Sequence, residues 1–244
     1  MQALDFVIQK GSVSLSDVAA ELDVDPSSAY RILKAIETAG YIRSMNRKYS
    51  PGYRIAELIC FEKSEVDVCN AAKPIMKSLT SRIDGCAHLC MLTETGTEFL
   101  SQEFSSGVIH VIQPIGQVEP LYCTASGKAS LAFLPDAMRE RMIRSPAMRF
   151  TPYTDYTITD PEKLIKELDE VRTRGYALDL EEYHYNVCCI SAPVFDRMNI
   201  SRYSLGISCV YKTSVKTENI ENYSYLIIHA AEKLSAYLKN TKKV

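Results

Sequence analysis

The sequence predicts an α+β chain built in two parts, on two observations. Between Ser14 and Tyr53, two short amphipathic helices meet at a tight joint and run into a basic hairpin. From Val66 onward, strand-like segments are bracketed by helical periodicity at both ends, the mark of an antiparallel sheet flanked by helices. At 244 residues, 46% hydrophobic and 24% charged with a net charge of −2, the composition is that of a globular protein with room for one or two cores. Any affinity for polyanions must therefore come from a local patch.

Taken in order, Met1 to Lys10 starts directly in an amphipathic helix through Leu4, Val7 and Ile8, so no N-terminal arm is expected. Asp5, Gln9 and Lys10 interrupt its apolar residues, which excludes a signal peptide, and no apolar run is long enough to span a bilayer. The expected compartment is the cytoplasm, with no membrane partner. Leu15, Val18, Ala19 and Leu22 fall on one helical face behind Ser14, a plausible N-cap. Asp23-Val24-Asp25-Pro26 breaks that helix, and Pro26 suits the first turn of the next. From Ser27 to Ala39, Ala29, Ile32, Leu33 and Ile36 form one stripe; Ser27, Arg31, Lys34 and Thr38 lie opposite, with Tyr30 on the flank. Gly40 ends the helix, and Tyr41 to Ser44 and Tyr49-Ser50 read as strands around Met45 to Lys48. This is the outline of a winged helix-turn-helix. Over Ser27 to Arg54, six basic residues (Arg31, Lys34, Arg43, Arg47, Lys48, Arg54) face one acid, Glu37, a local charge of about +5 that suits a phosphate surface.

Tyr53 to Phe61 continues as a helix, and the charged break Glu62-Lys63-Ser64-Glu65 marks a boundary. The expected domains are 1–53, a winged helix-turn-helix; 54–65, a linker helix; and 66–244, the sheet domain. Within the last, Val66 to Asp84 is helical, with Pro74 as a kink and Gly85 as terminator. Strands are expected at Cys86 to Leu92, Glu98 to Phe104 and Val108 to Gln113. A polar loop, Thr124 to Lys128, runs into an apolar helix, Ala129 to Leu134. Asp160-Pro161 opens a helix closed by Gly175; strands follow near Tyr176 to Leu180, Val187 to Phe195 and Tyr203 to Tyr211, then a last helix from Ile220 to Leu238.

Eight cysteines lie among apolar neighbours without the spacing of a zinc finger or a disulfide scaffold, and read as reduced core residues. Cys86, His88 and Cys90 alternate, so a strand would turn all three to one face as soft metal ligands; buried packing is the plainer reading, and no metal or cofactor is expected. Thr124 to Lys128 is no nucleotide-binding loop, because Tyr122 stands where the first glycine is needed and Ala129 where a hydroxyl would bind magnesium. Instead it leads into a helix N-terminus, whose amides and partial positive charge suit a carboxylate.

The run Pro120-Leu121-Tyr122-Cys123-Thr124-Ala125-Ser126-Gly127-Lys128-Ala129-Ser130-Leu131-Ala132-Phe133-Leu134, followed by Thr157 to Asp160, by Arg174-Gly175-Tyr176-Ala177 through Glu181-Glu182 and by Ser191 to Asp196, resembles the successive motifs of the isocitrate lyase regulator (IclR) family of bacterial transcription factors. Ser28 to Leu33 and Ala39 to Ile42 carry the resemblance into the N-terminal half, so that it covers nearly the whole chain. It implies a winged helix-turn-helix, a linker helix and a GAF-like C-terminal domain that binds a small effector and assembles as a homodimer or homotetramer. The chain departs from the pattern at Asn186-Val187-Cys188-Cys189, where the family has glycine and then Val-Arg-Cys, and in lacking a Gly-Pro after the Ser208 strand.

The expected partners are thus double-stranded operator DNA and a small organic or aromatic acid. Candidate DNA contacts are Arg31 and Lys34 on base edges or phosphates, Ser27, Ser28 and Tyr30 on the backbone, and Arg47 and Lys48 on phosphates across the hairpin. The candidate effector site combines Ala125, Ser126 and Gly127 with Asp179, Glu182, Cys189 and Ser208, which the resemblance places on facing strands or nearby. Tyr122, Tyr183 and Tyr185 offer an alternative lining for an aromatic acid. No catalytic residue is assigned. The competing readings are an enzyme using Cys123 or Cys189 in the same cavity and a ligand sensor whose winged helix contacts only protein; repression and activation both stay open.

Overall fold

The computed structural model describes residues 2–55, 65–107, 109–211 and 219–240. The chain divides into two compact units, Met1–Ser64 and Glu65–Val244.

In the first unit, α1 (Gln2–Lys10) is followed by β1 (Val13–Ser14), α2 (Leu15–Leu22), α3 (Pro26–Thr38), β2 (Ile42–Met45) and β3 (Lys48–Pro51). Ser14 caps α2 in a reciprocal capping box with Asp17, and Asp25 caps α3 with Pro26 in the first turn, so both helix starts are written in local side-chain chemistry. Gly40 takes the left-handed conformation (φ 82°) that closes α3. The hairpin is tighter than the sequence suggests: its turn is Asn46-Arg47, both left-handed (φ 53° and 61°), as expected of a two-residue turn matched to strand twist. The short β1, not anticipated from the sequence, pairs with β3 to give the sheet order β1-β3-β2. Val7, Val18, Leu33 and Ile42 form the core; Ile32, expected on the apolar stripe, is 38% exposed.

The second unit carries a six-stranded antiparallel sheet in the order β6-β5-β4-β9-β8-β7. Its strands are β4 (Cys86–Leu92), β5 (Thr97–Phe104), β6 (Val118–Glu119), β7 (Ala177–Leu180), β8 (Val187–Val194) and β9 (Tyr203–Val210). Two long helices, α4 (Glu65–Thr80) and α8 (Ile220–Lys239), pack on one face, where Ala87, Leu89, Ile190, Ala192, Leu205 and Ile207 meet Val68, Met76, Ile227 and Leu234. The alternate residues of the same strands point the other way. There they meet α5 (Ala125–Ala132), with α7 (Pro161–Arg174) packed against it and α6 (Asp136–Ile143) nearby in sequence. Asp160 caps α7 with bonds from the Glu162 and Lys163 amides, and Gly175 closes it at φ 83°.

Two expectations are corrected. Residues 109–113 are not a strand, and Val108 lies outside the described residues. The β-branched apolar residues there suit a strand, yet Ile109, Ile112 and Ile115 are 60–66% exposed, and the third strand of the meander is instead β6. The pattern alone supplies no partner for the backbone. Likewise, Ala125 to Lys128 is no loop: Thr124 accepts the Gly127 amide as N-cap, so the helix starts four residues earlier and is buried throughout. Pro74 lies inside α4, which ends at Thr80, before Gly85. Of the expected linker helix, Tyr53 to Ile55 is helical, and the remainder up to Ser64 lies outside the described residues.

Candidate functional site

In the first unit, the exposed side chains of Tyr30, Arg31 and Lys34 project from α3, and Arg47 and Lys48 from the turn and first residue of β3. Glu37 ties helix to hairpin, accepting from the Lys34 ammonium at 2.9 Å and from the Ser44 amide at 3.2 Å. Part of the Lys34 charge is thereby answered within the chain. Ser27 and Ser28 are likewise engaged, because both hydroxyls and both amides donate to the Asp25 carboxylate. These four bonds hold the Asp25 carboxyl well below the usual carboxylate range. Helix capping thus occupies two of the residues expected to touch a duplex.

In the second unit, the face of the sheet turned to α5 is small and polar. The register places His88 opposite Gly206 and Gly206 opposite Ser191, while Asp179, Cys189, Ser208 and Cys86 form an adjacent row across β7, β8, β9 and β4. His88, 2% exposed, is the hub: Nε2 lies 3.1 Å from Ser126 Oγ and 3.5 Å from Ser191 Oγ, and Nδ1 lies 3.3 Å from Ser208 Oγ. Burial pushes its pKa down to about 4, against the opposing pull of a hydrogen bond with the Cys86 backbone, so the ring is neutral at pH 7. Gly206 makes the arrangement possible: a Cβ there would lie 2.0 Å from Ser191 Oγ and 3.0 Å from His88 Nε2.

Ala125, Ser126, Asp179, Cys189 and Ser208 line a cavity of about 20 Å³ together with His88, Glu119 and Tyr183. Thr124 takes only the Gly127 amide, and helix geometry leaves the Ala125 and Ser126 amides at this wall without an intrahelical acceptor. Asp179 Oδ1 accepts the amides of Glu182 at 2.7 Å and Tyr183 at 3.4 Å. Burial, and then the charge of Glu182, push Asp179 up to about 7. Glu119, 6% exposed, is pushed up to about 8 by burial and by the charge of Asp179; its Oε1 has no hydrogen-bond partner.

Two of the expected residues stand apart from this cavity. Gly127 turns to Leu121, whose carbonyl oxygen would lie 2.4 Å from an added Cβ, so it serves the close approach of helix and strand exit. Glu182 faces the buried Lys128 ammonium, which also lies 3.7 Å from Glu167. The tyrosines divide as well. Tyr183 lines the His88 cavity, and with Tyr122 and Tyr153 a neighbouring one of about 280 Å³; Tyr185 is exposed and donates to Asp155 at 3.1 Å. Asn186 adopts the left-handed turn (φ 63°) that the glycine of the family pattern would take. Sequence reading missed His88 and Glu119 as cavity residues and Ser191 as a neighbour of His88, although the alternation at Cys86, His88 and Cys90 already put the histidine on one face with its neighbours. Hydroxyls surround both ring nitrogens, and among the described residues no three metal-ligand side chains are placed to hold an ion.

Two family models match the chain: the IclR helix-turn-helix domain over residues 1–44 and the bacterial transcriptional regulator IclR C-terminal domain over residues 61–236. The chain belongs to the IclR family. Among IclR-family regulators, it is 30% identical to the HTH-type transcriptional regulator BhcR of Paracoccus denitrificans over 241 residues, covering 96% of this chain and 84% of BhcR. It is 28% identical to KdgR of Escherichia coli over 233 residues, covering 94% and 87% of the two chains. The crystal structure of the Thermotoga maritima IclR matches with a TM-score of 0.68 at 29% identity, over 97% of this chain and 96% of that one. These IclR-family relatives are transcriptional regulators and not enzymes, and the chain is accordingly a DNA-binding regulator. The Cys123 and Cys189 thiols agree with this, since burial pushes both far above the ordinary thiol range. Among the described residues, no helix is long and apolar enough to cross a membrane.

Proposed function

We propose that this IclR-family regulator senses a small organic acid in the His88–Asp179 cavity and that occupancy resets its affinity for operator DNA, as a homodimer or homotetramer acting in the cytoplasm. The observation that carries the reading is the cavity itself: a small space at the N-terminus of α5, where hydroxyls, two buried acids and a neutral imidazole stand among apolar side chains. Ala125 and Ser126 amides and the Ser208 hydroxyl receive a carboxylate there, with Asp179 taking a donor on the far side. On the duplex, Arg31 and Lys34 face base edges or phosphates, Ser27, Ser28 and Tyr30 the backbone, and Arg47 and Lys48 adjacent phosphates. Ligand control requires unequal affinity for the DNA-competent and DNA-incompetent arrangements, a coupling of about 1–3 kcal/mol in ordinary cases.

The test is fluorescence anisotropy of DNA from the protein's own upstream region at two salt concentrations, with a panel of small carboxylates. Salt-sensitive binding, shifted about fivefold or more by one acid, is the expected result. Ser126→Trp, which fills the cavity, removes the shift and leaves DNA binding. Binding that ignores every acid, or a shift that survives Ser126→Trp, overturns the reading.

A further inference from the structure

The two outermost strands of the sheet, β6 and β7, each deliver one acid to the same cavity: Glu119 from one edge and Asp179 from the other. Glu119 is more than nine-tenths buried, and its Oε1 is left without a partner. Among the described residues, no lysine or arginine lines the cavity. Lys128, a fully buried cation on the same helix, is taken by Glu182 and Glu167. The remaining titratable groups on the walls are the His88 and His184 imidazoles, the Cys189 thiol and the Tyr183 phenol. Among the described residues, two acids with no matching cation share this cavity with a helix N-terminus that favours an anion, so it offers groups for both signs of charge. Its free volume of about 20 Å³ holds one or two water molecules, so the walls must part to admit a ligand and only a short one is accommodated.

We propose that the cavity selects a short zwitterion: the ligand's carboxylate sits at the Ala125 and Ser126 amides, and its ammonium lies between Glu119 and Asp179. This rests on the effector-cavity reading above and names the ligand class within it. Both carboxyls hold protons near neutral pH, Glu119 with its pKa near 8 and Asp179 near 7. An ammonium ionises them, and the protons leave to the buffer. A second carboxylate at that end does the reverse, and a hydroxyl leaves the proton count unchanged.

The experiment is isothermal titration of the full-length protein at pH 7 with β-alanine, 3-hydroxypropionate and malonate, three-carbon probes that differ only in the group offered to Glu119 and Asp179. Each is run in buffers of low and high ionisation enthalpy, so that proton exchange is counted directly. β-Alanine is expected to bind about tenfold or more tighter than either companion, with net proton release. Glu119→Gln weakens β-alanine by about tenfold and cuts the release; the wild-type proton count stands by itself should that variant not fold. Equal or tighter binding of malonate or 3-hydroxypropionate, absent proton release, or no binding of β-alanine overturns the proposal. If one of the two companions is the tighter ligand and shifts operator affinity in wild type but not in Ser126→Trp, the zwitterion is refuted and the effector cavity stands.

Discussion

Replacing Lys128 by methionine removes the buried cation that contacts the buried Glu182 and lies near the partly buried Glu167. Lys128 is 1% exposed; its ammonium contacts Glu182, and Glu167 lies 3.7 Å away. Glu167 keeps a second partner in Arg174, at 2.6 Å, but Glu182 does not share that bond, and its Oε2 already lacks a hydrogen bond. Burial raises the Glu182 pKa in spite of Lys128, so the variant leaves a carboxyl that must either stay charged without a partner or take up a proton. Breaking a buried pair from one side costs about 3–5 kcal/mol. For a unit of this size that corresponds to a melting temperature lower by roughly 6–20 °C. The assay is thermal unfolding followed by far-ultraviolet circular dichroism and tyrosine fluorescence, reading the transition of the Glu65–Val244 unit in the full-length protein. Lys128→Met combined with Glu182→Leu, which removes the orphaned acid, should recover most of the loss. A single variant within about 1 kcal/mol of wild type, or a double variant no better than the single, refutes the reasoning.

Gly206→Ala forces a methyl group against Ser191 and His88, and overpacking of this kind costs about 1–3 kcal/mol, measured by urea titration. Arg31→Ala is expected to cost about 1–3 kcal/mol on the best operator and to relax specificity at one base pair, whereas Lys48→Ala weakens all sequences alike and lowers the salt slope by about one; anisotropy on an operator and a scrambled duplex separates them. For pH, the folded-state pKa of Glu119 lies above its unfolded value, so its contribution is present below about pH 4.5 and is lost as pH rises through about 8. Between pH 5 and 8 wild type should therefore lose up to about 1.4 kcal/mol per pH unit from this group, and Glu119→Gln should flatten that limb of the melting curve. His88 acts in the opposite sense: its depressed pKa stabilises the fold above about 6.5 and destabilises it as pH falls towards about 4.

What could be read from residues in order was what neighbours decide. Ser14 announces a helix start because a cap bonds an amide two or three residues on, Pro26 does so because its ring suits a first turn, and Asp160-Pro161 and Gly175 bound α7 for the same local reasons. The basic hairpin was visible because charge needs no tertiary context, although the left-handed Asn46-Arg47 turn was not. The strand expected at Val108 to Gln113 was not found over residues 109–113, because β-branched apolar residues suit a strand while strand formation also needs a backbone partner, and β6 pairs with β5 instead.

The α+β class, the winged helix-turn-helix and the motifs of a transcriptional regulator were determined by the sequence by itself, through contacts spanning a few residues. The identity of the cavity was decided only in three dimensions. His88 meets Ser126, Ser191 and Ser208 across separations of 38, 103 and 120 residues, and Glu119 shares a space with Asp179 because opposite edges of one sheet converge on it. Such meetings depend on register, which slides every side chain to the other face if shifted by one residue and leaves no local signature in the chain.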